Sequence, residues 1–149
     1  MKIALGSDHG GFSLKQSLIP FLQERDIQVA DAGTINSADS VDYPDFAERV
    51  ALLVSHGEAD AGILVCGTGI GISIAANKFP GIRAALVTDV FMARMAKEHN
   101  NANVLVLGGR VLDEQKARDL VSAWLDATFE GGHHQGRLDK ITDIEKKYC

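Results

Sequence analysis

Cys66-Gly67-Thr68-Gly69-Ile70-Gly71 sets a thiol directly ahead of three glycines at alternate positions, and the residues that follow have helical periodicity. Such glycines leave the backbone open to a ligand while the helix aims free N–H groups at it, a nest suited to an anion. That anion is either a phosphate or the oxyanion of a reaction intermediate. Cys66 stands at the positive end of the helix, where a thiolate base is favoured; the competing reading is a small buried hydrophobe. His99 leads the polar run Asn100-Asn101-Ala102-Asn103 and reads either as a proton shuttle or as a helix C-cap. His133-His134 with Arg137 offers donors within one helical turn, suited to a phosphate or simply to solvent. Tyr43-Pro44 opens a helix after Asp42, and Tyr43 either lines a pocket or packs. No His-x-x-x-His spacing joins Asp8, His9, His99, His133 and His134, so no metal site is expected.

These residues need a frame. Strand-length apolar runs fall at Lys2 to Ser7, Ile27 to Asp31, Asp60 to Cys66, Ile82 to Thr88 and Val104 to Leu107. Helical segments alternate with them at Phe12 to Arg25, Pro44 to His56, Ile70 to Lys78, Val90 to His99 and Asp113 to Thr128. Consecutive apolar positions such as Ile63-Leu64-Val65 fit strands covered on both faces. The pattern predicts an α/β fold: a three-layer αβα sandwich around a five-stranded parallel, Rossmann-like sheet with right-handed crossovers. Ligands of such sheets sit beyond the carboxyl ends of the strands. Ser7-Asp8-His9-Gly10-Gly11, the Cys66 loop, Thr88-Asp89 and Gly108-Gly109-Arg110 all fall there. The first βα turn reads Asp-His-Gly-Gly, which disfavours a dinucleotide site. A last helix is predicted from Gln135 to Tyr148, its thin stripe of Leu138, Ile141 and Ile144 leaning on the domain edge or on a partner.

At 149 residues the chain is expected to form one domain, 1–149, and 46% hydrophobic with 23% charged residues is ordinary globular composition. A net charge of −5 argues against an extended nucleic-acid surface but not against one small anion. Two cysteines, Cys66 and Cys149, make a poor disulfide framework, and no apolar stretch or leader-like segment stands out. A cytoplasmic protein without membrane association is expected.

Longer motifs extend the glycine loop. They are Gly6-Ser7-Asp8-His9-Gly10-Gly11, Val41-Asp42-Tyr43-Pro44-Asp45, the thirteen residues Cys66 to Lys78, Glu98-His99-Asn100, Asn103-Val104-Leu105, Gly109-Arg110 and Glu130-Gly131-Gly132. Together they resemble the ribose-5-phosphate isomerase B family of sugar-phosphate isomerases over nearly the whole chain. The resemblance implies a homodimer, with a tetramer as the alternative, whose active sites draw on both subunits. It implies cofactor-free interconversion of ribose 5-phosphate and ribulose 5-phosphate; allose 6-phosphate, galactose 6-phosphate or a tetrulose phosphate are specificity variants. A non-catalytic nucleotide-binding module is the rival reading. By the same resemblance Cys66 is the base and the amides of Gly67, Thr68, Gly69, Ile70 and Gly71 hold the enediolate. Thr68 assists at that oxyanion or relays a proton, and His99 opens the furanose ring. Asp8 and Asn100 bind hydroxyls, Tyr43 lines the pocket, and His9, Arg110 and Arg137 contribute to substrate and phosphate binding. One position departs: the family commonly reads Gly-Gly-Arg-His where this chain has Gly131-Gly132-His133-His134. A permanently charged, bidentate donor is replaced at the phosphate end by a shorter, partly charged one.

Overall fold

The computed structural model describes residues 1–149. Five strands, β1 (Lys2–Ser7), β2 (Gln28–Asp31), β3 (Ala61–Cys66), β4 (Ala84–Leu86) and β5 (Val104–Gly108), alternate with five helices. These are α1 (Phe12–Glu24), α2 (Tyr43–Ser55), α3 (Ile70–Ala76), α4 (Val90–Glu98) and α5 (Glu114–Asp126); a sixth, α6 (His133–Tyr148), follows. All strand pairs are parallel, in the order β2-β1-β3-β5-β4.

Every residue of β3 and β5 is buried, as central strands covered on both faces must be. Alternate residues divide between two cores. Ile3, Leu5, Ile63, Val65, Leu105 and Leu107 meet α1, α4 and α5, whereas Ala4, Leu64, Cys66, Val104 and Val106 meet α2 and α3. The result is the expected αβα sandwich. Trp124 anchors the first core, fully buried, with its indole N–H donated to the Ala102 carbonyl at 3.1 Å. No helix is long and apolar enough to cross a membrane.

Two elements differ from expectation. β4 keeps only three of the residues predicted as strand from Ile82 to Thr88. The Arg83 N–H is taken by the Asn103 side-chain oxygen at 2.8 Å and the Ile82 N–H by the Phe79 carbonyl at 3.2 Å, so the ladder starts late. α6 begins at His133, two residues before the predicted Gln135. Of its apolar stripe only Leu138 is buried; Ile141 and Ile144 are 49% and 59% exposed. Glu145 ties its far end, accepting the Gly81 N–H at 3.0 Å. Between β4, α4 and α6 runs a groove of about 650 Å³, lined by Leu86, Phe91, Met95, Ile141 and Ile144 among others. One edge of β4 pairs with β5, and the other carries no strand.

Candidate active site

The chain leaves β1 toward β2 and leaves β3 in the other direction, so the carboxyl ends of these neighbours bracket a switch point. Each loop there is closed by its own residues. Asp8 caps a short 3₁₀ turn, His9–Gly11, its carboxylate accepting the Gly11 N–H at 3.1 Å. The turn sits so tightly on β3 that a β-carbon on Gly11 would collide with the Val65 carbonyl. His9 Nδ1 accepts the Val41 N–H at 3.2 Å, pinning the long β2–α2 connection over the edge.

Cys66 ends β3 on the α2 and α3 side, 5% exposed, and its Sγ accepts the Gly69 N–H at 3.1 Å. That geometry needs the left-handed Gly69, at φ +83°, with Leu86 and the Leu107 backbone closing in where a side chain would stand. Thr68 Oγ1 accepts the Ile70 N–H at 3.2 Å. Two amides of the nest thus point at the thiol and at the hydroxyl. From β5, the Gly109 N–H reaches the Cys66 carbonyl at 2.8 Å and the Arg110 N–H reaches the Gly67 carbonyl at 2.9 Å. The Arg110 guanidinium lies against both Gly10 and Gly67, where a β-carbon would come within 3.3 Å and 3.1 Å of it. Tyr43, first residue of α2, covers Gly71. Asp8, His9, Tyr43, the Cys66–Gly71 loop and Arg110 therefore share one edge, which gathers a thiol, a fixed cation and a hydroxyl among glycines.

The remaining predicted residues lie elsewhere. α4 starts at the carboxyl edge and its nine residues run back about 13 Å, which carries His99 and Asn100 to the amino edge. There the Arg83 guanidinium donates to the Asn100 carbonyl at 3.2 Å and to the Asn101 carbonyl at 2.9 Å, holding a turn in which Asn101 has φ +44°. The Glu130 N–H donates to the Glu98 carbonyl at 3.0 Å, docking the α5–α6 connection on the end of α4. Gly131 and Gly132, at φ +67° and +56°, then reverse the chain into α6. The His99 and His134 rings stack at 4.1 Å, His133 lies 4.1 Å from His134, and the Glu130 carboxylate is 3.4 Å from His134 Nε2. Loss of hydration holds the pKa of the buried His134 below its ordinary value, and the rings of His133 and His99 add to the effect. Within one chain, then, His99, Asn100, His133 and Arg137 stand across the sheet from Cys66. The large apolar groove includes Asn100 and none of the Cys66 loop.

The sequence gives no signal of a role for Arg83, and Glu130 enters only within the motif Glu130-Gly131-Gly132, with no role of its own. Glu130 had a signal, its four-residue spacing to His134; Arg83 had none, since its partners are backbone carbonyls.

Residues 3–141 match the Ribose/Galactose Isomerase family. The chain is 51% identical over 146 residues to the ribose-5-phosphate isomerase B of Escherichia coli, covering 98% of this chain and 97% of that one. It is 40% identical to the D-erythrulose-4-phosphate isomerase of Pectobacterium atrosepticum, over 95% and 93% of the two chains. The structure of Clostridium thermocellum ribose-5-phosphate isomerase B superposes over 100% of both chains, with a TM-score of 0.98 and 56% identity.

Proposed function

The chain belongs to the ribose/galactose isomerase family and is a sugar-phosphate isomerase, and from that premise we propose that it interconverts ribose 5-phosphate and ribulose 5-phosphate, with Cys66 as the base. The observation that carries the mechanism is the Cys66 Sγ at the carboxyl edge, accepting the Gly69 N–H at 3.1 Å, with the Arg110 guanidinium against the neighbouring Gly67. Cys66 removes the proton from the carbon beside the carbonyl and returns it to the neighbouring carbon. Amides of the Gly67–Gly71 loop hold the enediolate oxygen, and Thr68 relays a hydroxyl proton. Asp8 and Asn100 bind hydroxyls and Tyr43 closes the pocket. His9, Arg110, His133 and Arg137 bind the substrate and its phosphate, and His99 opens the sugar ring.

His99 can play that part only if a second copy supplies it, because its own chain puts it at the opposite edge from Cys66. We infer a homodimer with shared sites. The uncovered edge of β4, the apolar groove beside it and the exposed Phe91, Ile141 and Ile144 support a second copy docking there.

His133, together with the tetrulose-phosphate relative, favours a second reading of the substrate as a shorter or longer sugar phosphate. Turnover of four-, five- and six-carbon sugar phosphates decides between them. Ribose 5-phosphate is expected to lead in kcat/KM by about tenfold or more. A lead for any other sugar reassigns the substrate.

A further inference from the structure

We propose that Glu130, His134 and His99 form a site for a late first-row divalent cation of the Zn²⁺ class, with His133 at hand as a fourth donor. One ligand atom from each of the first three lies within 4.8 Å of the other two. His134 Nε2 and Glu130 Oε2 are 3.4 Å apart. Two ligands bonded to a tetrahedral zinc at about 2.0–2.1 Å stand about 3.3 Å from one another, so this pair already has the required spacing. His99, its ring within 16° of parallel to His134, has to tilt out of the stack to complete the triad.

The donor set argues for a cation over a phosphate at these atoms. Two imidazoles and a carboxylate suit zinc. A carboxylate at 3.4 Å from His134 Nε2 repels an anion from the same nitrogen and occupies its approach. The proposed phosphate contacts fall instead to His133 and Arg137, on the exposed start of α6. The backbone segments that carry the ligands are also held in place before any ion arrives. Glu130 is tied by its N–H to Glu98, His134 follows the Gly131-Gly132 reversal, and the turn after His99 is held by Arg83. Such anchoring lowers the ordering cost of coordination. A cation there engages His99 and so competes with ring opening, which makes the site inhibitory.

Calorimetric titration of chelator-treated full-length protein with zinc chloride, without substrate, tests this independently of the isomerase assignment. One saturable site per chain is expected, weakened about tenfold or more in Glu130→Gln and in His134→Gln and unchanged in Cys149→Ser. Glu130 is exposed, so its variant is expected to keep the wild-type circular dichroism spectrum. Co²⁺ in place of Zn²⁺ should give a tetrahedral visible spectrum that disappears in Glu130→Gln. The proposal is overturned if wild-type protein shows no saturable Zn²⁺ binding, or if binding persists in Glu130→Gln and is lost in Cys66→Ser.

Discussion

The ring of Tyr43 lies on the bare α-carbon of Gly71: a β-carbon built there would stand 2.6 Å from Tyr43 Cζ and 2.9 Å from its hydroxyl oxygen. The contact sets the spacing between the starts of α2 and α3 at the mouth of the Cys66 loop. Gly71→Ala must push the ring aside, and because Tyr43 is 39% exposed and can swing toward solvent the cost is about 1 kcal/mol, the low end for overpacking. A several-fold rise in KM with a lowered Tm is expected. Combining it with Tyr43→Ala should restore most of the lost Tm, because the clash then has no second partner.

Cys66→Ala is expected to lower kcat by about 10²–10⁴, the range for loss of a positioned acid-base group. The sharper readout is NMR in deuterium oxide. Exchange of the substrate carbon-bound hydrogen with solvent should stop in this variant, and exchange at the wild-type rate would show that another group is the base.

Cys66→Ala and His99→Ala chains, each inactive alone on ring-form substrate, should complement one another when mixed under conditions that exchange subunits. A two-fold dimer with shared sites then carries one intact site in each mixed pair, giving about a quarter of wild-type activity at equal proportions. Failure to recover activity despite demonstrated exchange rules out sharing of Cys66 and His99 between subunits.

His133→Arg places a fixed, bidentate cation at the proposed phosphate contact. A several-fold lower KM for ribose 5-phosphate with little change in kcat is expected, since the contact is made equally to substrate and transition state. An unchanged KM would place His133 away from the phosphate.

The ammonium of Lys15, 1% exposed, is held by both Asp31 oxygens at 2.9 and 2.8 Å and by Gln16 at 3.1 Å. Removing the carboxylate strands a buried charge, whereas removing the ammonium does not. Urea denaturation should show Asp31→Ala costing about 2 kcal/mol, discounted from a fully buried pair because Asp31 is partly solvated, and Lys15→Met costing less.

The frame was legible because consecutive apolar residues and glycine-punctuated strand ends are direct consequences of a doubly covered parallel sheet, and each predicted strand has its counterpart. β4 starts later than its apolar pattern because Asn103 takes the Arg83 amide, a side-chain choice that periodicity does not carry. The grouping of Cys66, Asp8 and Arg110 is legible because every member lies at, or within two residues of, the carboxyl end of a strand. His99 directly follows a helix, and a helix leaving the carboxyl edge must end at the other one. Its separation from Cys66 was therefore implicit in the same pattern that located the loop. Glu130 escaped because its meaning depends on two left-handed glycines folding it back onto His134.

α4 thus has a consequence for how the enzyme comes into being. On the proposed mechanism a solitary chain has its base but no ring opener within reach, and in the proposed pair each chain lends its neighbour the histidine it cannot use itself. Catalysis then belongs to an encounter. Below the dissociation concentration of the proposed dimer, initial rate is expected to climb with the square of chain concentration, so that a newly synthesised chain stays silent until it meets another.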